Sequence, residues 1–286
     1  MFSYFALLGR ILLIGIEKIA IKELAEEDNN LIVTFLFFFL ALFFFLPFVI
    51  FSKKPNDFSF LKTTIITSLI YTNSFILYVK SISISEVSLV APLYNINVFF
   101  LIILTSIFLD EKITILKIIG LILLIYGSSF LNRQENLFLS IKALFKDKGS
   151  KIMILSSLLI AIGRTIDGQV TKTGVSPLFY SFFLYLFITI ILFFIILLTK
   201  KSKGVNLLLR KKPLLSILAG MVNAYSYLFL LIAFKNIDVS LAEPSTMLGT
   251  IITLILSKYI FKEDIKYRLI GVLIMILGTC LIFLKI

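Results

Sequence analysis

One block of this chain is written twice. Val87-Ser88-Leu89-Val90-Ala91-Pro92 leads into an apolar run, the turn Leu109-Asp110-Glu111-Lys112 and a second apolar run ending near Leu131. Val239-Ser240-Leu241-Ala242-Glu243-Pro244 leads into an apolar run, the turn Phe261-Lys262-Glu263-Asp264 and a second apolar run ending near Leu284. The spacing from Val-Ser-Leu through the proline to the turn glutamate is the same in both copies. After the turn the match slips by one residue and pairs Gly120 with Gly271 and Gly127 with Gly278. A repeat of this span makes the chain two copies of one fold before any single residue is weighed. The likeness extends more weakly upstream, where Glu17 and Lys22 match Asp167 and Lys172.

The copies are too apolar to fold in water. Hydrophobic residues make up 59% of the chain and charged residues 15%, and the mean hydropathy is +1.07. Runs such as 35–51 and 178–198 lack the polar face that a soluble helix keeps at a period of 3.6 residues. Runs of about 20 apolar residues, enough to cross a bilayer as a helix, recur throughout. The expected spans are 2–21, 31–51, 62–80, 86–108, 113–131, 152–171, 177–199, 213–233, 238–260 and 267–285. The first is read as a retained helix, because it lacks the basic start and small-residue cleavage site of a signal peptide. Five spans per copy is an odd number, so the copies must insert with opposite orientations. The expected fold is an all-α membrane protein of ten transmembrane helices in two inverted five-helix repeats, 1–131 and 152–286. In the connector 132–151, Leu137, Ile141, Leu144 and Phe145 share one helical face, as in a short helix lying among headgroups.

Composition also removes whole classes of chemistry. There is no histidine and a single cysteine, Cys280, so His-ligated zinc, His-based triads and an internal disulfide are all excluded. No phosphate-binding glycine loop is present, so the chain alone is not a nucleotide-driven pump. No cofactor is expected. The net charge of +12 sits in short loops, where its ordinary meaning is membrane orientation and anionic headgroups. The expected partners are membrane lipids and a small-molecule substrate, not nucleic acid, for a monomer or homodimer in a bacterial or archaeal cytoplasmic membrane.

The paired blocks Ser88…Pro92…Asp110-Glu111…Gly120…Gly127 and Ser240…Glu243-Pro244…Lys262-Glu263…Gly271…Gly278 resemble the EamA-type modules of the drug/metabolite transporter superfamily. Such a module has Glu-Pro in its fourth helix, an acidic turn after it and a glycine-spaced fifth helix. The resemblance covers nearly the whole chain. It implies a secondary transporter whose helices 1, 3, 4, 6, 8 and 9 line a central cavity. Two departures stand out: Ala91-Pro92 replaces Glu-Pro in the first copy, and Asp110 and Lys262 replace the usual turn glycine. The resemblance also implies cytoplasmic termini, and that orientation is preferred. The loop charges argue against it, since Lys142, Lys146, Lys148 and Lys151, and then Lys200 through Lys212, load the face opposite the termini.

Ionisable groups inside spans cost about 2.5–3.5 kcal/mol each on insertion scales, so they need partners or water. Arg10 and Glu17 share a face of the first helix, as a polar stripe lining a cavity or, for Glu17, as an interfacial pair with Lys18. Arg164 and Asp167 stand three residues apart in the sixth helix, as a local ion pair or a binder of charged solutes. Glu243 precedes Pro244, a candidate hinge matched by Pro92 in the first copy. Tyr71, Asn73, Tyr94, Asn95, Asn97, Asn223, Tyr225 and Tyr227 are uncharged candidates for the same cavity. Asn95 and Asn97 lie on different faces, so one of them at most points inward. For each, a hydrogen bond between helices is the plainer alternative. The glycine pairs mark close packing of the fifth and tenth helices, within one copy of the chain or between two.

The expected activity is movement of a small organic solute (an amino acid, a metabolite or a drug-like compound) by alternating access. Proton coupling would require Glu17, Asp167 or Glu243 to titrate in the cycle. A translocase of lipid or lipid-linked sugar on the same fold is the first rival. A membrane enzyme is the second and would need catalytic groups clustered at one interface; only the repeated acidic turns come near that.

Overall fold

The structure, a computed structural model, describes residues 2–25, 29–87, 90, 93–129 and 147–284. Pro92, Ala91 and the amphipathic part of the connector lie outside the described residues. Among the described residues the fold is helical throughout. The first half contains α1 (Phe2–Leu24), α2 (Asn30–Phe51), α3 (Phe60–Ile84), α4 (Asn97–Phe108) and α5 (Ile115–Ser129). The second contains α6 (Lys148–Lys172), α7 (Pro177–Leu198), α8 (Ser202–Lys211), α9 (Pro213–Phe234), α10 (Val239–Ser245), α11 (Gly249–Ile260) and α12 (Lys266–Phe283).

Local chemistry sets several of these boundaries. The Asp147 carboxylate accepts the Ser150 N–H at 2.6 Å and starts α6. Pro177 and Pro213 open α7 and α9, where a missing N–H costs nothing. At the end of α7, Lys200 takes a φ of 55°. The N–H groups of Lys200 and Lys201 then reach back to the carbonyls of Leu197 and Ile196, which ends the helix sharply.

Among the described residues, six stretches are long and apolar enough to cross a bilayer: Asn30–Phe51, Phe60–Ile84, Lys148–Lys172, Pro177–Leu198, Pro213–Phe234 and Val239–Ile260. The protein is therefore an integral, multi-pass membrane protein. The remaining expected spans fall short of that measure, α12 because its apolar stretch runs only from Arg268 to Ile282. Helix α1 carries Arg10, Glu17 and Lys18 in its interior, while α4 and α5 are described over only 12 and 15 residues.

The halves exchange partners. Helix α1 packs on α9 and α11 of the second half, and its counterpart α6 packs on α3 and α4 of the first. Helices α2 and α7 pack on one another. Helices α5 and α12 pack through their glycines. A Cβ on Gly120 would lie 2.5 Å from the carbonyl oxygen of Gly278, and one on Gly127 would lie 2.6 Å from that of Gly271. The lower-numbered glycine of one helix meets the higher-numbered glycine of the other, so these equivalent helices run antiparallel, as an inverted repeat requires. Small residues let helices in lipid approach to van der Waals contact, which is the main attraction available there. The glycine faces thus meet inside one copy of the chain.

Both copies break their proline-bearing segment at the same place. A 3₁₀ turn at Tyr94–Ile96 precedes α4, and a second at Thr246–Leu248 separates α10 from α11. Both segments also begin in the same way. The Glu111 carboxylate accepts the N–H groups of Val239 and Ser240, each at 3.0 Å, at the start of α10. The Glu263 carboxylate accepts the N–H of Val87 at 3.2 Å, at the start of the corresponding segment of the first half. Each acidic turn therefore caps a helix of the other half. Asp110 and Lys262, one residue before each glutamate, sit in the left-handed region at φ of 55° and 56°. That conformation costs about 1–2 kcal/mol for a residue with a Cβ.

Candidate functional site

The broken segments bring polar groups from both halves to one place. Helix α1 presents Arg10, Glu17 and Lys18, α6 presents Arg164 and Asp167, and α10 presents Glu243. None of the six is more than 5% exposed. Three cations and three anions thus share one buried region, among tyrosines, small polar side chains and the apolar core. Charges so placed are tolerable only when paired and hydrogen-bonded.

The two carboxylates near Arg164 are held differently. Asp167 is saturated: Tyr71 donates to its Oδ2 at 2.5 Å, Tyr180 donates to its Oδ1 at 2.9 Å, and Arg164 Nη1 stands 3.2 Å from Oδ2. Arg164 Nη1 also donates to the Tyr71 hydroxyl at 2.9 Å. Glu243 is half-saturated. Its Oε1 accepts from Asn97 at 3.0 Å and from Tyr94 at 3.3 Å. Its Oε2 faces Arg164 Nε at 3.5 Å. Among the described residues, Glu243 Oε2, Arg164 Nε and Arg10 Nε are buried without a hydrogen-bond partner.

Aromatic rings enclose these charges. The Arg164 guanidinium lies 5.3 Å from the ring centre of Tyr71 and 5.1 Å from that of Tyr227. Tyr227 stacks on Tyr185 with ring centres 5.2 Å apart. The Lys18 ammonium lies 5.1 Å from the Tyr94 ring centre. Arg10 donates to the Ser226 hydroxyl and stands 3.5 Å from Glu17. A cation over a ring face is stabilised by the ring quadrupole, more so when water is excluded.

Of the residues singled out by sequence, the cluster unites Arg10, Glu17, Tyr71, Tyr94, Asn97, Arg164, Asp167, Tyr227 and Glu243. The others lie elsewhere. Asn73 is exposed and bonds the Leu69 carbonyl of its own helix at 2.9 Å. Tyr225 packs among Phe44, Phe48 and Phe229. Asn223 is buried but already satisfied, accepting from Tyr185 at 2.7 Å and donating to the Phe37 carbonyl at 3.0 Å. The side chain of Asn95 lies outside what the structure describes, and Asn97 holds Glu243. Pro244 sits inside α10, just before the 3₁₀ break.

Sequence reasoning missed Tyr180 and Ser226; it had Tyr94, Asn97 and Tyr227 only among the uncharged cavity candidates, and Lys18 only as an interfacial partner of Glu17. Lys18 was detectable, since it follows Glu17 well inside an apolar helix. Tyr180 was not, because a tyrosine in an apolar run has the same pattern whether it faces lipid or a charge.

Two cavities, of about 630 and 610 Å³, open on the face that carries the N-terminus. Ser176 lines both. The second is lined by Lys53, Asp57, Gln169 and Val170, and Val170 is less than one helical turn beyond Asp167.

A duplicated helical membrane protein, its halves antiparallel and a charge-balanced polar centre held between them, has the layout of a solute carrier. The chain belongs to the EamA-like transporter family, whose pattern matches residues 1–133 and again 147–284. No curated protein matches the sequence. Among solved structures, one described only as "Crystal structure of protein" superposes with a TM-score of 0.70, covering 98% of this chain and 95% of its own at 10% identity. At that identity the likeness concerns the fold alone.

Proposed function

We propose that the protein is a secondary transporter that moves a small polar solute through the cluster by alternating access, with ten spans in two inverted halves. One observation carries this reading. Arg164 comes from α6 and Glu243 from α10, and Arg164 Nε and Glu243 Oε2 face each other at 3.5 Å without a hydrogen bond between them. A charged donor and a charged acceptor left unmatched in a membrane interior suit a solute that supplies the missing partners. Such a solute carries an anionic group for Arg164 and a cationic or hydrogen-donating group for Glu243. The surrounding tyrosines offer ring faces and hydroxyls to the rest of it. The second cavity on the N-terminal face, whose lining reaches Gln169 and Val170 on the helix that carries Asp167, would supply the approach.

The purified protein, screened by thermal melting against zwitterionic, anionic and cationic metabolites, should be stabilised most by zwitterions, because a ligand stabilises the folded state that binds it. Uptake of the strongest stabiliser into proteoliposomes should fall at least tenfold in Glu243→Gln. Uptake unchanged in that variant would remove Glu243 from the solute path.

A further inference from the structure

We propose that α8 and the lysines before it form a docking surface for anionic phospholipid headgroups. The segment from Lys200 to Lys212 contains no acidic residue. Lys200, Lys201, Lys203, Arg210 and Lys211 are all exposed. The helix is amphipathic and one side of it is fixed to the body of the protein. Leu208 is buried, and a Cβ on Gly204 would lie 2.3 Å from Ile32 Cδ1, so the backbone is seated directly on α2. The left-handed turn at Lys200 breaks the chain off α7 just before this segment.

Charge complementarity alone would admit an acidic protein as the partner. The apolar neighbours select a bilayer. Leu198 and Leu214 are each 82% exposed at the last turn of α7 and the first turn of α9, two spanning helices, and Leu207 is 54% exposed between them. A segment that joins the ends of two spanning helices lies where hydrocarbon gives way to headgroups. There, leucines reach acyl chains while lysines and arginines meet phosphates. Lys212 anchors the far end by bonding the Glu23 carbonyl and approaching its carboxylate at 3.8 Å.

The test compares the full-length protein in vesicles of phosphatidylcholine alone with vesicles containing one part phosphatidylglycerol to three of phosphatidylcholine. The anionic lipid should raise the melting midpoint of the unaltered protein. A variant with Lys200, Lys201, Lys203, Arg210 and Lys211 all changed to Gln should melt normally in phosphatidylcholine but lose at least half of that increment. Changing Lys53, Lys54 and Lys62 to Gln, on the opposite face, should leave the increment intact. A full increment in the α8 variant, or none in the unaltered protein, overturns the proposal. A second measurement does not depend on the charge variant folding. With Cys280→Ser and Leu207→Cys, an environment-sensitive fluorophore at position 207 should shift to the blue as phosphatidylglycerol is added, and an unmoved spectrum counts equally against the docking surface.

Discussion

Glu111 and Val239 belong to different halves of the chain, yet the carboxylate of one caps the helix that begins at the other, at 3.0 Å. The supporting cations are exchanged in the same way. Lys172 stands 3.6 Å from Glu111, and Lys117 donates to Ser240 at 2.9 Å. On the opposite face Arg268 stands 3.6 Å from Glu263 and also pairs with Glu86. These contacts tie the start of each broken segment, and therefore the cluster built on it, to the other half.

The cap should be measurable as stability. Glu111→Ala leaves two buried N–H groups of α10 without their acceptor. A lost helix cap costs about 0.5–2 kcal/mol, and burial places this one at the upper end. The melting midpoint in detergent should fall by several degrees, with Glu111→Gln intermediate. An unchanged midpoint for Glu111→Ala would mean that the cap adds nothing to folding.

Two glycines should fail substitution for opposite reasons. Gly120 lacks space, with a Cβ 2.5 Å from a carbonyl oxygen, while Gly174 has nothing within 4 Å of its Cβ position but a φ of 86°. Gly120→Ala forces α5 and α12 apart, and overpacking of this kind costs about 1–3 kcal/mol. Gly174→Ala strains the backbone, and Gly174→Asn should recover much of that loss because asparagine tolerates the left-handed region. Thermal melting of all three, with Gly120→Asn as a fourth that does not recover, separates crowding from strain.

Asp167 and Glu243 should part company under neutralisation. Asp167→Asn withdraws the charge that Arg164, Tyr71 and Tyr180 all serve, and breaking a buried pair costs about 3–5 kcal/mol. Its main effect should therefore be a large drop in melting temperature. Glu243→Gln keeps an oxygen for Asn97 and Tyr94, so its main effect should be lost uptake with the fold intact. Equal losses of stability in the two variants would contradict the distinction drawn from their bonding.

The charge of α8 predicts an orientation. The positive-inside rule places so basic a segment on the cytoplasmic side, so α8 should face the cytoplasm and the termini the other side, against the preference that the family resemblance suggested. In a Cys280→Ser background, a membrane-impermeant maleimide should label Asn56→Cys in intact cells and leave Asn206→Cys unlabelled until the membrane is opened. The reverse pattern would restore cytoplasmic termini.

The duplication, the membrane class and the ionisable half of the cluster were legible in the sequence because each breaks a pattern that chance rarely breaks twice. A charge inside an apolar run announces itself, as Arg164 does. Which way an uncharged polar residue faces does not. Tyr71 and Asn73 are two residues apart on one helix, about 200° around its axis, so they could not both point inward, and the same holds for Asn223 and Tyr225. The exchanged caps were out of reach for another reason: Glu111 and Val239 are joined only by the way the halves interlock, and no spacing along the chain records that. Asn223→Ala should cost about 1–3 kcal/mol by stranding Tyr185 and the Phe37 carbonyl, whereas Asn73→Ala should leave both melting and uptake unchanged.

Asp110 and Lys262 make the same left-handed bend on opposite faces of the protein with opposite charges. The bend depends on backbone conformation and places no demand on the sign of the side chain. A duplicated scaffold that is equivalent when turned upside down has no shape-based means of choosing which end enters a membrane first. In such a molecule, side chains whose structural duty is indifferent to charge are the natural place to encode that choice.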